Sequence, residues 1–119
     1  MQIKKYRYAM TAYLLLILLG SSIPADHIPE SELFSFDKIL HIVEYSILGF
    51  LAFMSFPGRS LRKIVVILIV CMFFSAFDET WQSFIPGRQP DLLDFLADNL
   101  GIWIGAGLGI SLLFLKGND

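Results

Sequence analysis

The sequence has one cysteine, Cys71, so an intrachain disulfide is excluded, and its position inside an apolar run reads as a buried, inert thiol. Also missing are the motifs that would name a reaction: there is no G-x-S-x-G elbow, no H-E-x-x-H, no phosphate-cradling loop and no C-x-x-C. Proline is absent from the interior of four apolar runs. None of these runs alternates polar with apolar residues, which excludes the strands of a membrane barrel and leaves helices. There is no extended basic patch either. The connector PGRSLRK is a short basic turn between apolar runs, so nucleic acid is not an expected partner.

Apolar residues dominate what is present. Of 119 residues 55% are hydrophobic and the mean hydropathy is +0.65, above the roughly 45 to 50% apolar share of soluble domains. The apolar runs cover about 8–23, 39–56, 64–84 and 92–115. A helix crosses the hydrocarbon in about 17 to 25 residues. The expected fold is therefore all-α, a four-helix integral membrane bundle in one domain over 1–119. The first run, with its charged start and LLLILL, also has the outline of a secretory signal peptide, but an uncleaved first helix is expected. Lys4, Lys5, Arg7, Arg59, Arg62, Lys63 and Lys116 flank one side of the runs, offset only by Asp119. These cations predict that both termini are cytoplasmic. The opposite side carries Asp26, Glu30, Glu32, Asp37, Glu44, Asp78, Glu79, Asp91, Asp94 and Asp98, against Lys38 and Arg88 alone. His27, in the acidic connector, reads as a solvated loop histidine.

Ionisable groups at membrane depth are costly and mark function or tight pairing. Asp78 to Gly101, DETWQSFIPGRQPDLLDFLADNLG, is the densest such stretch. Helical periodicity places Asp37, His41, Glu44 and Leu48 on one face of the second helix with Tyr45 beside them. It also places Ser75, Asp78, Glu79 and Gln82 on one arc of the third. In the fourth, Asp94, Asp98, Gly101, Gly105 and Gly109 form a stripe whose glycines admit a neighbouring helix, while Asp91 and Asp94 suit its N-terminus. Pro86, Gly87 and Pro90 stiffen the loop around Arg88, which is expected to sit among the acids as the keystone of the site. The catalytic candidates are His41, Glu79 and Asp94, because a proton-handling face needs an imidazole beside carboxylates. The binding candidates are Asp37, Lys38, Glu44, Tyr45, Asp78, Gln82, Arg88, Asp91 and Asp98. No local spacing marks a metal cage, so no obligatory metal and no cofactor is expected.

Three patterns share the chain: DK-x-x-H-x-x-x-Y-x-x-x-G from Asp37, DE-x-x-Q-x-x-x-PGR from Asp78, and D-x-x-D-x-x-x-D-x-x-G from Asp91. Together they resemble the VanZ-like family of small bacterial membrane proteins, named after an accessory teicoplanin-resistance protein. The resemblance implies a multi-pass protein of the bacterial cytoplasmic membrane. It also implicates Asp37, Lys38, His41, Tyr45, Glu79, Gln82, Pro86, Arg88, Asp94, Asp98 and Gly101.

Three readings then compete. The cluster acts on an envelope component such as a lipid headgroup or lipid-linked precursor, with Arg88 gripping phosphate and His41 or Glu79 moving a proton. Alternatively it is a non-enzymatic accessory that binds a cationic group or shields a target from a glycopeptide. In the third reading it is salt-bridge glue between helices.

Overall fold

A computed structural model of the chain describes residues 2–24, 33–56, 58–88 and 91–116, the side chains of residues 2 and 33–37 apart. The acidic connector with His27, the turn proline Pro57, and Pro90 lie outside the described residues, as does the Asp37 side chain. Four helices follow one another: α1 (Gln2–Ser21), α2 (Leu33–Met54), α3 (Leu61–Gln82) and α4 (Leu92–Leu115). No strand occurs among the described residues. α1 and α2 start well ahead of the apolar runs that announced them, since hydropathy marks the greasy part of a helix and not its polar first turns.

Local chemistry sets the other ends. Ser60 caps α3 by accepting from the Lys63 N–H, and Asp91 caps α4 by accepting from the Leu93 N–H at 2.9 Å. Gly58 and Gly87 take φ of 97° and 78°, a region that L side chains avoid, and so let the chain turn before α3 and α4.

Successive helices run antiparallel. At one end the Arg7 Nε at the start of α1 donates to the Ser55 carbonyl just past α2, and Arg59 lies 5.7 Å over the ring of Phe114 near the close of α4. At the other end Trp81 Nε1 of α3 donates to Ser22 Oγ after α1, and Lys38 of α2 meets Asp91 at the start of α4. The basic clusters thus share one end and the acids the other.

The tightest seam joins α2 to α4. A Cβ on Gly105 would run into the Ser46 carbonyl oxygen, one on Gly101 into that of Ile42, and one on Gly49 would lie 2.5 Å from that of Ile102. The stripe of small residues expected on α4 therefore packs backbone against backbone with α2. Beside this seam Tyr45, Leu48, Phe53 and Ile102 are wholly buried. α1 and α3 lie against this pair less closely. They leave a cavity of about 640 Å³ lined by Met10, Leu14, Leu48, Ile67, Cys71 and Phe74.

Large apolar side chains are exposed on the outside while several acids are buried beside the apolar core. Phe73 is 72% exposed, Trp103 60% and Leu19 66%, whereas Asp78, Asp98 and Ser75 are wholly buried. Among the described residues one helix, α4, is long and apolar enough by composition to cross a membrane.

Candidate functional site

The acidic end of the bundle encloses a layered polar cluster built by three helices. α2 supplies Lys38, His41 and Tyr45, spaced by three and four residues so that they line one face. α3 supplies Ser75, Asp78, Glu79 and Gln82, all buried, as the helical arc predicts. α4 supplies Asp94 and Asp98, both buried, directly above the glycine seam.

The outermost layer is an ion-pair group. Lys38 Nζ donates to Asp91 Oδ2 at 3.1 Å and also to Asp94 Oδ1. The Asp91 carboxyl is held below the usual carboxylate range by the Leu93 N–H it accepts and then by Lys38. Burial acts to lower the Lys38 pKa, but the hydrogen bonds to Asp94 and Asp91 outweigh it and hold the ammonium above its ordinary value.

One turn deeper, His41 Nδ1 lies 2.6 Å from Asp98 Oδ1, while His41 Nε2 stands 3.9 Å from Asp94 Oδ2. The second oxygen of Asp98 accepts from Ser75 Oγ at 2.9 Å, so both oxygens of this wholly buried carboxylate are engaged. Deeper again, Tyr45 donates to Asp78 Oδ2 at 2.7 Å.

The exceptions in this cluster are Asp78 Oδ1 and both oxygens of Glu79, which are buried with no hydrogen-bond partner among the described residues. Nearly all buried polar atoms in folded proteins have a partner, so a carboxylate with neither oxygen bonded calls for a specific cause. Glu79 does have company. One ligand atom each from His41, Glu79 and Asp98 lie within 4.8 Å of one another.

The sequence of residues 3–115 matches the VanZ/LLP1 family. The chain belongs to that family. No curated protein and no solved structure was found to match it. VanZ/LLP1 proteins are membrane-associated, in keeping with the apolar exterior of this bundle.

Of the residues that carry the VanZ/LLP1 resemblance, Lys38, His41, Tyr45, Glu79, Asp94 and Asp98 converge in the cluster, with Asp78 and Asp91 beside them. Gly101 forms part of its floor. Gln82 is buried but turns toward α1, donating to Ser21 Oγ at 3.3 Å. Glu44 offers its carbonyl, which accepts from Tyr13 at 2.7 Å.

Arg88, expected among the acids, directs its hydrogen bonds to the end of α1. Its Nε donates to the Ile23 carbonyl at 2.9 Å and its Nη2 to the Gly20 carbonyl at 3.3 Å, so it satisfies the end of α1 instead of bridging carboxylates. The physical reason is local: a helix C-terminus presents unpaired carbonyls and the negative end of the helix dipole, which a guanidinium serves well. Lys38 is a side-chain cation that bonds two of the acids, Asp91 and Asp94. Ser75 was legible on the same arc as Asp78 and Glu79, but its role as donor to Asp98 was not, because that partner is on another helix.

Proposed function

We propose that this chain crosses the bacterial cytoplasmic membrane four times with both ends in the cytoplasm. On this reading its polar cluster, at the outer face, binds or processes a cell-envelope component and so contributes to glycopeptide resistance of the teicoplanin type. The inside-out distribution of polarity supports the membrane part: helices of about 20 residues with exposed Leu, Val and Phe on every side suit hydrocarbon as their solvent. The long dimension of 49 Å is enough to cover the roughly 40 to 45 Å of core and headgroups.

The observation that carries the functional part is Glu79, buried and without a partner beside the His41–Asp98 pair. An imidazole oriented by a buried carboxylate, with a second carboxylate within reach, is an arrangement that can accept and return a proton. Lys38, at the mouth, stands where an anionic headgroup would enter. Family membership supports the link to glycopeptide resistance.

The Lys38–Asp91–Asp94 group favours the rival reading of salt-bridge glue, since its members hold α2 to α4. Glue gives no reason for a buried carboxylate with no hydrogen-bond partner among the described residues. The test expresses the parent, His41→Ala and Glu79→Gln in a teicoplanin-susceptible bacterium and measures both susceptibility and the amount of protein in the membrane. Both variants are expected at parental level with the resistance contribution lost. Resistance unchanged in both would end the functional reading, and loss of both proteins from the membrane would favour glue.

A further inference from the structure

We propose that His41, Glu79 and Asp98 bind a divalent cation between α2, α3 and α4. Each residue offers one ligand atom, and these atoms lie within 4.8 Å of one another, close enough for a single ion to draw them into one coordination sphere. The sequence pointed the other way, because the three come from three helices and no short spacing announces them.

Glu79 is the independent observation. It is 7% exposed, it faces this cluster, and neither of its oxygens has a hydrogen-bond partner among the described residues. The charged groups near it are Asp98, His41, Asp94 and Asp78, three acids and an imidazole. Among the described residues, the hydrogen bonds of Lys38 go to Asp91 and Asp94 and those of Arg88 to carbonyls of α1. A cation held by Glu79 would satisfy the unpaired carboxylate and offset the acids around it.

The donor set narrows the ion. One imidazole and two carboxylates suit Zn²⁺ or Mn²⁺; Ca²⁺ takes six to eight oxygens, and soft ions take thiolates, which Cys71 does not bring to this cluster. Three protein ligands leave a coordination position open, as catalytic sites do. Such a position fits an oxygen of water or of a phosphate group. The surroundings are those of a supported site: Ser75 Oγ fixes Asp98 Oδ2, and the glycine seam fixes the backbones of α2 and α4.

Binding the ion needs no envelope component, so the test uses the purified full chain in detergent. The protein is stripped with a chelator, reloaded with Zn²⁺ or Mn²⁺ separately, desalted and analysed for metal. About one ion per chain is expected, with a raised unfolding temperature. Glu79→Gln, which keeps the shape, should lose more affinity than the roughly 10- to 100-fold typical of changes outside the ligand set. Ser75→Ala, which keeps all three ligands, should lose affinity within that range and serves as the second reading if the Glu79 variant does not fold. No ion retained by the parent overturns the proposal, as does parental affinity in either folded variant.

The outcome is separable from the envelope reading. A metal-free parent whose His41→Ala variant still loses resistance removes only the ion. A metal-loaded parent whose variants leave susceptibility unchanged keeps the ion and removes the function.

Discussion

Lys38 and Asp91 meet at the mouth of the cluster, where their pairing can be followed by pH. The folded-state pKa of Asp91 is depressed, so its contribution to stability is complete above the unfolded value, about 3.9, and is lost as pH falls through the folded value. The folded-state pKa of Lys38 is raised, so its contribution is complete below about 10.4 and is lost as pH rises further through the folded value. Between these limits the pair should contribute a constant amount. Asp91→Asn isolates the charge, because asparagine caps a helix as well as aspartate does. The stability gap between parent and Asp91→Asn, read by thermal unfolding in detergent, should be flat from pH 5 to 9 and close below about pH 4. A gap that does not narrow at all as pH falls below about 4 would mean that the carboxylate charge makes no difference.

At the scale of the helices, the seam between α2 and α4 determines whether the cluster exists. Gly105→Ala would drive a methyl into the Ser46 carbonyl oxygen, a backbone atom that cannot swing aside, so the helices must separate. Overpacking of this kind costs typically about 1 to 3 kcal/mol, and here it should also part His41 from Asp98. Gly107→Ala is the control, with nothing within 4 Å of the added Cβ; helix propensity predicts a gain of about 0.5 to 1 kcal/mol. Unfolding measurements on the two variants should move in opposite directions, and equal stability would show the seam to be looser than described.

The same helices show why part of the molecule was legible in the sequence. The helical repeat is fixed, so Ser75, Asp78, Glu79 and Gln82 could be assigned to one arc and the glycines to one stripe, and both assignments hold. Which residues meet across helices was not legible. His41 and Asp98 are 57 positions apart, and no local pattern encodes that approach. Arg88 exposes the weakness of counting charges: its loop carries it to the carbonyls of α1, which attract a guanidinium without bearing a formal charge. Helix starts were misjudged for a related reason, since the polar first turns of α1 and α2 are helical without being apolar.

For the whole molecule, the antiparallel order gathers Arg7, Arg59, Arg62, Lys63 and Lys116 at the end opposite the acids. If the four helices span the bilayer, that end belongs in the cytoplasm. A reporter fused after Lys116 should be active in a cytoplasmic assay and silent in an external one. An external signal would reverse the orientation and put the acidic cluster at the inner leaflet.

Because α2 packs mainly on α4, the protein is closed by its last helix. Synthesis delivers the N-terminal segments first. Lys38 must therefore wait for Asp91 and Asp94, and His41 and Ser75 for Asp98, while α3 is already made. During that interval the contacts that α4 supplies to Lys38, His41 and Ser75 cannot form. The arrival of α4 is thus the step that completes the polar cluster.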